Sequence, residues 1–181
     1  MQHSTKHVKS TLHKGQFLEL IRCGHWEYVK RVNTSGAAVI IAVTDDAKVV
    51  LVEQYRIPCE ARTIELPAGI IGDEPHATLE THIEAARREL IEETGFDAGH
   101  IEELSAGAAS SGLASEIVTL FLATKLRRVG TGGGVAHEDI VVHEVPVAGA
   151  RRWLADKAHS GLLVDPKVFA GLYFAGTVVQ V

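Results

Sequence analysis

Short runs in which apolar and polar residues alternate dominate the first third of the chain, and they predict β-strands. Five such runs precede the first helical pattern: 17–21, 26–32, 37–43, 49–52 extended by 54–56, and 63–66. Cys23-Gly24-His25 separates the first two runs and predicts the tip of an antiparallel hairpin. Asp45-Asp46 separates the third and fourth, which are rich in β-branched residues, and predicts a second hairpin of buried strands.

The pattern then changes to a helical one. The stretch from Leu79 to Thr94 has no Gly or Pro, and Gly95 follows it as a stop signal. Its apolar positions recur at helical spacing: Leu79, Ile83, Ala86 and Leu90. This predicts an amphipathic helix.

Strands and helices are also predicted after this helix. Strand patterns cover 101–104, 117–122 and 140–145, and helical patterns cover 148–158 and a last segment that Asp165-Pro166 opens. The Gly-, Ala- and Ser-rich stretch 106–115 predicts a loop, and 127–137, with four glycines, predicts a mobile one. The order of elements predicts a mixed α/β protein with helices packed on a sheet. The polar residues 1–14 predict a frayed start.

The predicted central helix carries clustered carboxylates on its polar side. Glu89, Glu92 and Glu93 stand three and four residues apart, so they share one face, where like charges repel. An acidic solvated face paired with Arg87 and Arg88 is the ordinary explanation of such a run. A divalent cation is the chemical alternative, because Mg²⁺ binds carboxylate oxygens and couples them to phosphates.

Composition narrows the classes of function. The chain has 181 residues, which suits one domain, and 18 Lys plus Arg against 23 Asp plus Glu give a net charge of −5. With no basic run, binding to nucleic acid or to an anionic membrane is not expected. No apolar run is long enough to span a membrane, and the start lacks the apolar core of a signal peptide. Two cysteines, Cys23 and Cys59, predict reduced thiols and favour a cytoplasmic protein.

Residues 88–96 read Arg-Glu-Leu-Ile-Glu-Glu-Thr-Gly-Phe, and Glu80 stands eight residues before Arg88. This string resembles the signature of the Nudix hydrolases. The Gly that begins the family pattern would fall at Glu74, and Gly69 of Pro67-Ala68-Gly69 is similar to it, displaced by an insertion of five residues. The resemblance implies an α/β/α sandwich with a central mixed sheet and a metal site on the signature helix.

The resemblance is strongest to the branch of ADP-ribose pyrophosphatases and nucleoside-diphosphate-sugar hydrolases. It implies a division into 1–35, a tail and hairpin for dimerisation and base recognition, and 36–181, the hydrolase domain. On the hairpin, Trp26 would stack on the base, Glu27 would bond its edge, and Arg31 would contact phosphate or ribose. A buried core Trp is the ordinary alternative for Trp26. Arg56, at the end of Gln54-Tyr55-Arg56, would contact the diphosphate, and Ile70 completes the expected substrate contacts.

The same resemblance implies the metal shell and the catalytic groups. The expected metal ligands are the carbonyl of Ala68 and the carboxylates of Glu89, Glu92, Glu93 and Glu138. Arg88 would orient the helix carboxylates, and Glu92 could bridge two ions. Glu138, just past the glycine run, is the expected base for the attacking water, with Asp139 and Glu144 as rivals. The role of Glu80 stays open because of the insertion.

The implied reaction is hydrolysis of a diphosphate that joins two organic groups, for example ADP-ribose to AMP and ribose 5-phosphate. Mg²⁺, with Mn²⁺ as a possible substitute, would neutralise the diphosphate. The expected partners are a nucleotide-sugar substrate and a second copy of the chain. Ser110-Ser111-Gly112-Leu113 stands where many members have a Pro associated with ADP-ribose preference. A broad sugar-nucleotide hydrolase, for example on GDP-mannose, is therefore the alternative, and a catalytically idle ligand sensor is a third hypothesis.

Overall fold

A computed structural model describes residues 8–72, 81–135 and 138–179, and its strands form two sheets. The smaller sheet is antiparallel and has three strands: β1 (Lys9–Lys14), β2 (Leu18–Cys23) and β3 (Trp26–Arg31). The β2–β3 hairpin confirms the predicted turn at Gly24. The expectation of a frayed start through Lys14 was wrong. β1 is wholly exposed but pairs with β2, because backbone hydrogen bonding to a neighbouring strand needs no apolar pattern.

The main sheet has eight strands: β4 (Gly36–Val43), β5 (Lys48–Arg56), β6 (Ala61–Glu65), β7 (Ala68–Ile71), β8 (Phe96–Ala108), β9 (Ile117–Arg128), β10 (Val141–Pro146) and β11 (Leu163–Val164). The strand order is β11-β6-β5-β4-β9-β8, with β10 on β5 and β7 on β4. The β4–β9 and β6–β11 pairs are parallel and the others antiparallel. The sheet is therefore mixed, as expected.

Strands β4 and β5 separate soon after their turn. They pair at Ala42 with Val50 and at Val43 with Val49, after which β7 takes over the free edge of β4. The Pro67 carbonyl accepts the Ile40 N–H at 2.8 Å in the gap between them. The separation brings the start of β7 into the middle of the sheet.

Three helices cover the two faces of the main sheet: α1 (His82–Thr94), α2 (Ala150–His159) and α3 (Lys167–Val178). On one face Leu90 of α1 joins a core with Ile40 and Phe121. On the other face Leu154 of α2 and Val168 of α3 join a core with Ile41. This is the expected α/β/α sandwich. No helix in the described part of the chain is long and apolar enough to cross a membrane.

Helix α1 differs from its prediction at the beginning. The structure starts it at His82, because Thr81 and Glu84 form a reciprocal capping box in which the Glu84 carboxylate accepts the Thr81 N–H at 2.7 Å. Leu79 and Glu80 lie outside the described residues. Ile83 does not line the buried face as predicted and is 43% exposed. Ala86 and Leu90 are buried as predicted, Ala85 is buried as well, and the small alanine side chains let the helix lie close to the sheet.

Several later elements are longer or shorter than predicted. Strand β8 begins at Phe96, immediately after Gly95 caps α1 with a φ of 73°. It continues to Ala108, so the predicted loop at 106–115 is shorter than expected. Asp165 acts at the start of α3 as predicted, since its carboxylate accepts the Lys167 N–H at 2.7 Å.

Candidate functional site

The C-terminal half of α1 faces the turn that begins β7. The Glu93 carboxylate accepts the Ala68 N–H at 3.0 Å, and its side chain is buried. Gly69 lies directly against Glu89, because a methyl group built on Gly69 would overlap the Glu89 carboxyl group. The Pro67-Ala68-Gly69 turn and two of the helix glutamates therefore form one site, although they are at least 20 residues apart in sequence.

Arg88 holds two of these carboxylates. Its guanidinium donates to Glu89 at 2.7 Å and to Glu92 at 3.2 Å. The structure thus contains the ion pair, and the orienting role expected for Arg88 stays a prediction. Arg87 points elsewhere and donates to Asp97 and to the Ala98 carbonyl.

Burial and neighbouring charge act on the Glu93 carboxyl. Burial raises its pKa to about 8, and the charges of Glu89 and Glu138 also raise it. The Ala68 N–H and the charge of Arg56 oppose this rise. Near pH 7 the carboxyl therefore holds its proton unless a cation replaces it.

Among the residues that the structure describes, no three Asp, Glu, His or Cys side chains converge on a single cation position. The expected ligands are close together but engaged: Arg88 holds Glu89 and Glu92, and the Ala68 N–H holds Glu93. The donors nonetheless fit a hard divalent cation. They are carboxylate and carbonyl oxygens, one of them belongs to a buried acid, and the lack of a Cβ at Gly69 lets the Glu89 carboxyl lie against the backbone.

Arg56 belongs to the same site. It forms a two-pronged ion pair with Glu65, at 2.7 and 2.5 Å, across the β5–β6 hairpin. Glu65 raises the pKa of Arg56, and Glu93 adds to this effect. Arg56 is thus a fixed cation beside the acidic helix.

The predicted base-recognition residues lie on the small sheet. Trp26 is 51% exposed, which excludes the buried core Trp considered as the alternative. Glu27 pairs with Arg22 at 2.7 Å, and Arg31 pairs with Glu116, the residue before β9. Beside Arg31 is a cavity of about 90 Å³, lined in part by Ser35 and Glu116. Ile70 lies on β7 opposite Ala37 and is partly buried.

Glu138 lies near the end of α1, because it rests against Gly134, whose N–H donates to the Glu92 carbonyl. Its carboxylate accepts the Val135 N–H at 2.9 Å. The rival residues are engaged elsewhere. Asp139 pairs with Arg62 at 2.9 Å, and Glu144 pairs with Arg128 at 2.7 Å.

The glycine run is packed against α1 and is not a free linker. The N–H groups of Gly133 and Gly134 donate to the carbonyls of Glu93 and Glu92, at 2.8 and 3.0 Å. Carbonyls in the last turn of a helix have no partner within the helix, so these bonds cap it. Gly132 has a φ of 67°, and a Cβ there would strike Thr94. His137, part of the predicted loop, lies outside the described residues.

The sequence did not point to three polar partners in this region. Glu65, Glu116 and Arg62 each fix a residue of the site or of its loop. A signal exists for Glu65, since Arg56 and Glu65 lie only nine residues apart on the two strands of one short hairpin. Glu116 and Arg62 act over separations of 85 and 77 residues, which no local pattern shows.

Comparison with known proteins identifies relatives of this chain. The NUDIX domain model matches residues 34–159. An ADP-ribose pyrophosphatase of Bacillus subtilis is 42% identical over 97 residues, which are 52% of this chain and 49% of that protein. A GDP-mannose pyrophosphatase of Salmonella arizonae is 33% identical over 142 residues, 74% of this chain and 69% of that protein. A methanol dehydrogenase activator of Bacillus methanolicus is 36% identical over 129 residues, 70% of this chain and 66% of that protein.

A solved structure, described as that of an ADP compounds hydrolase, has the same fold. It superposes with a TM-score of 0.70 at 20% identity and covers 96% of this chain and 92% of its own. The chain spans about half the length of the Bacillus subtilis relative and just under two thirds of the activator. These matches do not assign a role to any individual residue of the site.

The raised pKa of Glu93 predicts a pH-dependent cost to the metal-free fold. Because the folded pKa of about 8 exceeds the ordinary value of 4.5, stability falls as pH rises between these values. Glu93→Gln removes this cost. In EDTA, we expect its Tm to exceed that of wild type by several degrees at pH 8 and by little at pH 5, since 1 kcal/mol shifts Tm by roughly 2–4 °C in a domain of this size. Thermal unfolding across this range is the measurement. Glu103→Gln, an exposed control, should show no widening gap, and a constant gap for Glu93→Gln would contradict the burial argument.

The contact between Gly69 and Glu89 predicts that Gly69→Ala displaces the carboxylate and leaves the fold intact. The φ of Gly69 lies outside the left-handed region, and only a flexible side chain must move. We expect metal affinity to fall by about 10- to 100-fold, as for changes that misorient ligands, with Tm almost unchanged. Mn²⁺ binding followed by electron paramagnetic resonance is the measurement. Gly107→Ala, in an open strand position, is the control, and equal affinity in both variants would exclude this role of Gly69.

Proposed function

Because this chain belongs to the NUDIX domain family, we propose that it hydrolyses the diphosphate bond of ADP-ribose or a related nucleoside diphosphate sugar. The products would be a nucleoside monophosphate and a sugar phosphate. One observation carries this proposal: buried Glu93 and neighbouring Glu89 face the Pro67-Ala68-Gly69 turn, with Arg56 beside them. The relatives named for ADP-ribose and GDP-mannose support the substrate class.

Hydrolases of this family generally use divalent metal ions, and we propose Mg²⁺ with Mn²⁺ as a substitute. The residues that would hold the ion are the Ala68 carbonyl, Glu89, Glu92 and Glu93, with Glu138 as a further ligand or as base. When bound, the ion supplies charge neutralisation for the diphosphate and acidifies water. With the ion bound, Arg88 would still donate to Glu89 and Glu92, as it does in this structure.

The chain's own groups account for the other requirements of the reaction. Arg56 is preorganised by Glu65 and keeps N–H donors that suit a phosphate oxygen. Such a fixed cation stabilises charge as the P–O bond breaks. Glu138 would orient the attacking water and accept its proton, since its rivals Asp139 and Glu144 are held by arginines. To do so it must release the Val135 N–H.

The small sheet supports the proposed recognition of the base. Half-exposed Trp26 offers a stacking surface, and Glu27 follows it on β3. Arg31 is engaged by Glu116, so a phosphate or ribose contact would have to share or displace that carboxylate. We propose the division into 1–35 and 36–181. The two parts are joined by hydrogen bonds from Val29 to Leu113 and from Ser115 to Val29, at 2.9 and 3.0 Å.

We also propose a homodimer. The small sheet exposes Phe17, Leu18 and Trp26, and an apolar surface of this kind fits a twofold partner. We also place the activity in the cytoplasm, because the spacing of Cys23 and Cys59 in the sequence matches no recognisable disulfide framework.

A broad sugar-nucleotide hydrolase is the second candidate. Several relatives carry the name GDP-mannose pyrophosphatase, and the 110–113 segment lacks Pro. Specificity is a ratio of kcat/KM values, so a direct comparison of substrates decides between the two candidates.

The deciding experiment is a panel of ADP-ribose, GDP-mannose and other sugar nucleotides with Mg²⁺ or Mn²⁺. We expect hydrolysis of at least one member, abolished by EDTA, with the highest kcat/KM for ADP-ribose. Glu138→Gln should lower kcat by roughly 100-fold or more with near-normal KM, as for loss of a general base. Glu103→Gln is the matched control. Activity that survives EDTA would refute the metal-dependent mechanism, and no turnover in the panel would favour a ligand sensor.

Trp26→Ala tests base recognition and assembly together. Since Trp26 is remote from the reacting phosphates in this proposal, its loss should raise KM severalfold with little change in kcat. Light scattering should show a dimer for wild type. Phe169→Ala, on the exposed side of α3, is the aromatic control. A monomer with full turnover would contradict the dimer.

A further inference from the structure

Arg62 on β6 links two carboxylates that belong to distant parts of the chain. Its Nε donates to Glu53 on β5 at 2.8 Å, and its Nη1 donates to Asp139 at 2.9 Å. Its Nη2 also faces the backbone carbonyls of these two residues, at 3.2 Å for Glu53 and 3.4 Å for Asp139. The planar guanidinium is thus held at both ends, a geometry that Lys cannot reproduce.

The Glu53 end of this bridge is firmly anchored. The Glu53 side chain is 13% exposed. Its carboxylate also accepts hydrogen bonds from His143 Nε2 at 2.9 Å and from Lys157 Nζ at 3.2 Å. Burial alone would raise the pKa of Glu53, but these bonds and that from Arg62 hold it below its usual value. His143 and Lys157 both pack on the Trp153 ring, at 5.0 and 5.1 Å. The anchor therefore involves β5, β10 and α2.

The Asp139 end lies next to Glu138. Asp139 is 84% exposed, so its ion pair with Arg62 adds little stability by itself. The ion pair also matters for position, because Asp139 directly follows Glu138 in the chain. When the Asp139 side chain is held by Arg62, the backbone that carries Glu138 is restricted as well. This matters because a misplacement of about 1 Å in a catalytic group can cost 100-fold in rate.

A second set of contacts holds the other side of this loop. Gly133 and Gly134 donate to the last turn of α1, and the Ile140 N–H donates to the Gly133 carbonyl at 3.4 Å. Glu138 accepts from Val135 between these points. The segment that carries Glu138 is therefore fixed to α1 through its glycines and to β6 through Asp139.

We propose that Arg62 is a positioning residue: braced by Glu53, it holds Asp139 so that neighbouring Glu138 faces the acidic cluster of α1. This inference rests on the proposed hydrolase function for its catalytic consequence. Neither Arg62 nor Asp139 touches the reacting atoms, and both act through Glu138. The bridge also explains why Asp139 is unsuited to the role of base.

The test compares Arg62→Gln, Asp139→Asn and the double variant with Arg127→Gln. The control removes an exposed arginine from its ion pair with Asp97, at 3.2 Å. With the sugar nucleotide that wild type hydrolyses best, we expect each single variant to lose roughly 10-fold in kcat with KM within about twofold, as for loss of a partner that orients a catalytic group. The double variant should lose no more than either single one, because both changes break the same contact.

Hydrogen exchange supplies a readout that does not depend on activity. Arg62→Gln and Asp139→Asn should speed exchange of the Val135 and Ile140 amides, whereas Arg127→Gln should not. Unchanged exchange, additive losses or an effect confined to KM would overturn the positioning role. If wild type hydrolyses no member of the panel, the proposed function fails, and the exchange data still decide whether Arg62 anchors the loop.

Discussion

A buried carboxylate that needs a countercharge is the constraint on which the rest of this structure depends. Glu93 lies inside the protein beside the negative charges of Glu89 and Glu138, and its carboxylate accepts the backbone N–H of Ala68. Burying an unpaired charge is costly, so a group in this position either takes up a proton or binds a cation. The clustered glutamates of α1 are thus a local cost to folding that a divalent metal would remove.

The fold brings the residues that bear this cost to folding together at one site. The separation of β4 from β5 brings the Pro67-Ala68-Gly69 turn to the face of α1. Gly69 lets Glu89 approach the backbone, and the glycine run caps the last turn of the helix that bears Glu92 and Glu93. Arg88 and Arg56 are each held by carboxylates and place fixed positive charge beside the site, whereas Arg62 is held by Glu53 and by Asp139, which follows Glu138 in the chain.

The sequence predicted the fold class and six of the eight main-sheet strands that the structure describes, because buried β-branched runs and one clear helical period have few alternatives; it did not predict the short strands β7 and β11. It also identified the acidic helix, since Glu89, Glu92 and Glu93 contradict ordinary helix design. It misplaced Ile83 and missed β1, where packing and backbone pairing overrode the local pattern. It could not show that Arg31 is engaged by Glu116 or that Arg62 reaches Asp139, because such pairs form only when strands distant in sequence meet. The glycine run was predicted to be a mobile loop for the same reason, because its hydrogen bonds to α1 join residues that are distant in sequence.

The most direct test of this account is a count of the protons released when the cation binds. Mn²⁺ is titrated into metal-free protein at pH 7 by calorimetry, in two buffers with different ionisation enthalpies. Because the pKa of Glu93 is about 8, the account predicts release of close to one proton per site at pH 7 and almost none at pH 9. A binding heat that is the same in both buffers at pH 7 would show that Glu93 is already ionised, and would contradict the claim that its burial sets the need for a metal.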